Sequence, residues 1–332
     1  MAELPKLPKG KRVLSGLQPT GIMHIGNYFG AVRQHIALQE HNSAIIFIAD
    51  LHSLTSILDA ESRRGLVRDI VLDYLALGLD PSRAVFYRQS DLPEVTELSW
   101  ILSTVTPLGL LERGHAYKDK VAQGLAADAG LFTYPVLQAA DILVHRSDLV
   151  PVGQDQKQHI EMTRDIAGKF NHVYGDVLVV PDPLILDDVA VVPGTDGQKM
   201  SKSYENTIEM FAGEKRLRKQ VMGIVTDSTP VEEPKDPDAS NLFALWKLFA
   251  NERERNEMAE RFRSGGLGYG EVKKDLFERL VAYFGAARER REELARDPDC
   301  VEDVLRDGAA RARETAAPLM DDVRRATGVG RP

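Results

Sequence analysis

Cysteine is almost missing from this chain of 332 residues, where Cys300 stands alone. One thiol can make neither an intrachain disulfide nor a Cys-cluster zinc site, and it suits a reducing compartment. Long apolar runs are missing as well. "AIIFIADL" (44–51) is among the longest, well below the roughly eighteen residues that suggest a membrane span. The first residues, "MAELPKLPKGKRVLSG", carry basic side chains without an apolar core and do not read as a signal peptide. A cytoplasmic protein without a membrane anchor is the expectation. Excess positive charge is absent too: Lys+Arg 42 against Asp+Glu 50 gives −8. That balance argues against gripping DNA, or nucleic acid in general, through a basic body, and leaves room for RNA on a local patch. No G-x-x-x-x-G-K-[ST] occurs, so ATP would not be held by a P-loop, and no G-x-S-x-G nucleophile elbow is present. "GGLGYG" (265–270) lacks the spacing of a dinucleotide fingerprint and reads as a helix-end turn. His145, His159 and His172 do not fall at metal-ligand spacing, so no zinc is predicted.

What is present is an ordinary globular composition, 43% hydrophobic and 28% charged, long enough for a large core and two domains. "RVLSGLQ" (12–18) reads as a strand running into the turn "PTG". Ile25, Phe29, Val32 and Ile36 then share one helical face. "AIIFIAD" (44–50) is a strand covered on both sides, 62–77 a helix stopped by Gly78, and "AVFYRQS" (84–90) the next strand. Further on come a buried helix "LFTYPVLQAADILV", a brief strand "LVPVG" and a helix "DQKQHIEMTRDIAGKF". Alternating strands and helices predict an α/β, doubly wound parallel sheet of Rossmann-like form. After Ser203 the character changes to amphipathic helix around the Pro/Asp-rich loop "TDSTPVEEPKDPDAS" (226–240). The expected division is a sheet domain over 1–203 and an all-helical domain over 204–332, its last helix able to pack back on the first.

Three strings carry candidate chemistry, and each has a plain alternative. In "QPTGIMHIGNYFG" (18–30) a glycine-bracketed turn feeds a helix start, where free N–H groups and the helix dipole attract an anion. Gly26 allows close approach to the backbone, and His24 and Asn27 can donate to phosphate or ribose. An ordinary strand–helix turn is the competing reading. "KMSKS" (199–203) places Lys199 and Lys202 three apart, able to converge on one phosphate; most lysine-rich loops are only solvated, but this pentapeptide is rare by chance. In "YPVLQAADILVHRSDLVPVGQDQKQH" (134–159) Asp141 sits in an otherwise apolar helix, where a carboxylate needs a partner, either from the protein or from a ligand. "GQDQKQH" puts Gly153 and Asp155 at another strand–helix junction suited to a ribose or adenine edge, and Gln156 could meet either charged end of an amino acid.

Taken together these strings resemble the class I aminoacyl-tRNA synthetases, and within them the bacterial tryptophanyl branch, over nearly the whole chain. "HIGN" resembles the HIGH signature with Asn27 last, and "KMSKS" is the second signature unaltered. "GLQPTGIMHIGNYFGA", "AADIL", "VPVGQDQKQHIEMTRDIA", "GYGEVKKDL" and "DGAARAR" narrow the likeness. The resemblance implies that Asp141 accepts the indole N–H of L-tryptophan. It also implies that Tyr134 and Gln156 meet the substrate ammonium, with His52, Gln138, Val150 and Val152 as pocket wall. It makes Gln18, Pro19, Thr20, His24, Gly26 and Asn27 the first ATP-binding segment and Gly153, Gln154 and Asp155 the second. Val192, Met200, Ser201 and Ser203 join ATP through the lysine loop. Lys120, Lys199 and Lys202 become phosphate lysines that, with His24 and Asn27, form the catalytic set.

Two departures stand out. Gln138 replaces a methionine common in that branch and makes the pocket more polar, and "DLHSLT" (50–55) replaces "DQHAIT". The implied partners are ATP, Mg²⁺ carried on its phosphates rather than on a protein metal site, tRNA(Trp), and a second copy in a homodimer. The helical part would read the anticodon. There Lys215, Arg216, Arg218 and Lys219 are as readily a solvated helix face as an RNA contact. Competing readings are a tyrosyl enzyme, a nucleotidyltransferase sharing the His-x-Gly motif, and a non-charging relative that binds tRNA or a protein.

Overall fold

Five strands form one parallel sheet in the order β3-β2-β1-β4-β5, with β1 at Arg12–Leu17, β2 at Ser43–Ile48, β3 at Val85–Arg88, β4 at Leu149–Val152 and β5 at Asp182–Ile185. The structure, a computed structural model, describes residues 7–114, 117–118, 122, 128–153, 156–185 and 192–330. The apolar run in β2 explains why the sheet has two covered faces. Ile46 and Ile48 point with Phe86 into one core, while Ile45 and Phe47 point with Tyr87 into the other. A strand buried on both sides loses the polar alternation of a half-exposed one. The first face is covered by a helix over 25–38 and by Ala60–Ala76. The second is covered by Glu94–Ser103, Ala129–Leu143 and Lys157–Tyr174.

The predicted helix over 62–77 is Ala60–Ala76, and the strand expected over 44–50 is Ser43–Ile48. β5 and the helix Glu94–Ser103 are additions that sequence reading did not provide. The 25–38 helix has a π segment at Tyr28–Val32, and Tyr28 and Phe29 are both buried within it. They meet Phe249, Tyr283 and Phe284 with ring centroids 5.1 to 6.1 Å apart, mostly edge to face. Rings that follow the "HIGN" string thus pack directly on the helical part, which is built from Glu214–Met222, Asn241–Trp246, Glu252–Ser264 and Tyr269–Ala295.

The last helix, Pro298–Thr327, crosses back over β3. Gly308 makes this possible, because a Cβ there would overlap the Phe86 carbonyl. Beyond it Ala309, Ala312, Ala316, Leu319 and Val323 enter the second core. Arg313 holds Glu94 at 2.7 Å and Arg324 holds Glu97 at 2.5 Å, fixing this helix to Glu94–Ser103.

An ion pair joins Tyr269–Ala295 to Ala60–Ala76. Arg291 bonds Asp73 at 2.5 Å and Asp69 at 2.7 Å. Burial pushes the Asp73 carboxyl up from 3.8 to about 6, against the pull of Arg291. A carboxyl that holds its proton more tightly when folded contributes stability below its unfolded pKa and loses it as pH rises toward the folded value. Asp73 should therefore destabilise the fold more at pH 7 than below pH 4. In Asp73→Asn that term vanishes. The stability of the variant relative to wild type should rise between pH 5 and pH 7.5, as read from urea midpoints; a constant difference would refute the assignment.

Candidate active site

The strand order reverses between β1 and β4, and in such sheets ligands bind in the crevice beyond the carboxyl ends of the strands at that point. A cavity of about 1090 Å³ opens there. Its walls come from stretches far apart in sequence. Gln18, His24, Gly26 and Asn27 follow β1, and Val150, Val152, Gly153 and Gln156 belong to β4 and its exit. His52, Tyr134, Gln138 and Asp141 form another wall, and Val192, Lys199 and Met200 close the cavity from the lysine loop. Pro19, Thr20, Ser201, Lys202 and Ser203 are not among the lining residues. Lys120, Gln154 and Asp155 lie outside the described residues.

His24 caps its helix. Its Nδ1 accepts the Asn27 backbone N–H at 3.3 Å, while the Asn27 side-chain oxygen accepts the His24 N–H at 3.1 Å. With Nδ1 accepting, the ring proton belongs on Nε2, and the Asn27 amide NH₂ is left to donate. Burial, reinforced by the Lys202 charge, lowers the His24 pKa from 6.5 to about 4. The imidazole is therefore a neutral donor at neutral pH. An NMR titration of His24 should show a midpoint near 4 and no inflection between pH 6 and 7; a midpoint at 6.5 would disprove this placement.

The loop that carries the two lysines is internally braced. Met200 N–H donates to the Val192 carbonyl at 3.0 Å, and Pro193 and Lys199 form an antiparallel bridge. Buried Asn206 is the hub: its oxygen accepts Ser201 N–H at 2.8 Å, and its amide donates to Asp196 at 2.7 Å and to the Lys199 carbonyl at 3.2 Å. Asn206 was not singled out from sequence. Lys202 reaches back across the first turn, where its Nζ lies 3.2 Å from the place of a Cβ on Gly21. Gly21 has φ +136, a region that side-chain-bearing residues avoid. Met200 lies equally close to the Cβ position of Gly26, and Ile25 N–H donates to the Ile208 carbonyl at 3.0 Å. The two signature strings are thus in contact.

Asp141 is fully buried, and both of its oxygens accept hydrogen bonds. His52 Nε2 lies 2.9 Å from Oδ2, and Gln89 donates to both oxygens at 2.8 and 2.9 Å. Burial raises the Asp141 pKa, and the His52 and Gln89 bonds oppose the rise. Gln89 is the second residue that sequence reading missed; it follows β3, and its only signal was a glutamine at a strand end. One helical turn before Asp141, Gln138 also faces the cavity. Tyr134 OH meets His159 Nε2 at 2.6 Å, and Gln18 donates to the His52 carbonyl at 3.2 Å. Of the basic cluster, Arg216 pairs with Glu209 at 2.6 Å and Arg218 lies over the Phe277 ring.

A crevice at the switch point of a parallel sheet, closed by a His-x-Gly helix start and a KMSKS loop, defines a nucleotide site of the class I synthetase kind. The family described as "tRNA synthetases class I (W and Y)" matches residues 9–285. A tryptophan–tRNA ligase of Fusobacterium nucleatum is 57% identical over 320 residues, covering 96% of this chain and 98% of that protein. Its counterpart in Rhodopirellula baltica is 58% identical over 318 residues, covering 96% and 99%. The crystal structure of tryptophanyl-tRNA synthetase from Campylobacter jejuni, complexed with ADP and tryptophan, has a TM-score of 0.91 at 49% identity, covering 96% of this chain and all of that one. The chain belongs to the class I tRNA synthetases, in the branch of the bacterial tryptophanyl enzymes.

Proposed function

We propose that this chain joins L-tryptophan to ATP, giving tryptophanyl-adenylate and pyrophosphate, and then passes the aminoacyl group to tRNA(Trp). One observation carries the reading: a buried carboxylate, Asp141, lines the same cavity as His24 and Lys199. The substrate carboxylate attacks the α-phosphorus in line, and the bond to the bridging oxygen of pyrophosphate breaks. The attacking group is already ionised, so no protein base is required. Catalysis then rests on positioning and on charge stabilisation. His24 donates from Nε2 to a phosphate oxygen, with the Asn27 amide beside it, while Lys199 and Lys202 take up negative charge as pyrophosphate departs. Lys120, Gln154 and Asp155 complete the ATP set on the family pattern. Val150, Val152 and Gln138 surround the indole ring, Asp141 accepts its N–H, and Tyr134 and Gln156 meet the ammonium.

Lysines, amides and a neutral imidazole suit phosphate oxygens rather than a metal cage. Mg²⁺ would therefore arrive on the triphosphate, where it would neutralise charge on the leaving group. The tRNA 2′ hydroxyl accepts the aminoacyl group in the second step, and the helical part over 204–332 reads the anticodon. The enzyme works in the cytoplasm as a homodimer. Exposed Trp100 and Leu108, on adjacent helices packed against Ala129–Leu143, favour a partner on that side. Among the described residues no helix is long and apolar enough to cross a membrane.

Exchange of labelled pyrophosphate into ATP should require tryptophan and should not proceed with tyrosine at equal concentration. Exchange with tyrosine alone would favour the tyrosyl reading. No exchange, with tRNA still bound, would favour the non-charging relative.

A further inference from the structure

We propose that Gln89 is the positioning residue of the amino-acid pocket: its clamped side-chain amide holds both oxygens of Asp141 and keeps that carboxylate an acceptor for the indole N–H. The inference rests on the role given to Asp141 above. Gln89 lies in the turn Gln89–Asp91 after β3 and has no exposed surface. Its Oε1 accepts the Leu51 N–H at 3.1 Å, which settles which end of the amide faces which way. The NH₂ must then face Asp141, where it reaches Oδ1 at 2.8 Å and Oδ2 at 2.9 Å. Leu51 is the neighbour of His52 in Asp50–Ser53, so one amide fixes the carboxylate and the helix that carries its histidine partner.

The other charged or titratable groups facing Asp141 are few. His52 bonds Oδ2, Asp50 repels it from the same short helix, and Tyr87 of β3 also adds repulsion if ionised, though its hydroxyl is held by His145 at 2.8 Å. An anion buried among them needs donors, and Gln89 supplies two hydrogen bonds without adding a titratable group. Without it the anion loses two hydrogen bonds and is protonated more readily, and a protonated carboxyl offers the indole N–H a weaker acceptor than a carboxylate.

The test compares Gln89→Leu and Gln89→Glu with wild type between pH 6 and 9, by pyrophosphate exchange. The substrates are tryptophan and β-(3-benzothienyl)alanine, in which sulfur replaces the ring N–H. Gln89→Leu should raise the tryptophan KM on the order of tenfold, hold kcat within about twofold, and shrink the preference for tryptophan over the sulfur analogue. Gln89→Glu should behave like wild type at low pH, where its carboxyl is protonated and donates to Asp141. It should lose the preference as pH rises and two adjacent carboxylates repel. A merely structural role would not produce this pH-dependent rescue.

Folded variants that keep wild-type KM and preference at every pH would overturn the inference. Asp141→Asn separates the two ideas. If it also keeps the preference, the assignment of Asp141 itself fails; if it alone loses the preference, only the role of Gln89 does.

Discussion

Lys202→Ala should slow tryptophanyl-adenylate formation by about a hundred- to a thousandfold, the usual loss when one donor to developing charge is removed. The tryptophan KM should stay near its wild-type value. The Lys202 ammonium lies against Gly21, in the turn that leads to His24, and is not among the residues lining the cavity. From there it can reach phosphates held by the helix start without touching the amino acid. Loss of surrounding water lowers its pKa, and the Asp73 charge opposes that shift. Single-turnover formation of the adenylate at saturating ATP and tryptophan measures the effect directly. Wild-type turnover would remove Lys202 from the mechanism, and a parallel rise in tryptophan KM would place it in the wrong half of the site.

Asp141→Asn should reduce the preference for tryptophan over its N–H-lacking sulfur analogue by roughly two orders of magnitude or more. Sites built to accept an N–H reject ligands without it by large factors, because their own buried group is left unpaired. Asparagine keeps the volume but not the charge. Its NH₂ group would face either the Gln89 amide or His52, both of which approach the carboxylate within 3 Å. One oxygen can no longer serve Gln89, His52 and an indole together. The comparison of kcat/KM for the two substrates reads the effect, and thermal melts should show a smaller change in stability, since the buried charge is relieved. An unchanged ratio would mean that the indole N–H points elsewhere.

Sequence periodicity captured elements whose cause is local. The apolar run at 44–48 is a two-sided strand because every residue in it is buried, and the Ile70 and Tyr74 face of Ala60–Ala76 packs inward as its spacing implies. Asp141 was legible for a related reason, since a carboxylate in an apolar helix announces a partner. The partner's identity was not legible. Gln89 lies 52 residues away and meets Asp141 only because β3 ends beside Ala129–Leu143. Asn206 is another such case, a polar residue just past a signature whose work is to hold that signature's backbone. β5 opens with Asp182 and Pro183, residue types that strands disfavour, and only pairing with β4 makes them one. The approach of the last helix to β3 depends on one glycine more than 200 residues downstream, and no local pattern encodes that distance.

That distance has a consequence for synthesis on the ribosome. In a nascent chain that has emerged only as far as residue 297, Phe86 and the carboxylates Glu94 and Glu97 still await the helix that covers them. Contacts of such long sequence separation form late, and uncovered apolar edges invite chaperones. An enzyme that supplies translation thus finishes its own assembly only after translation has delivered the helix Pro298–Thr327.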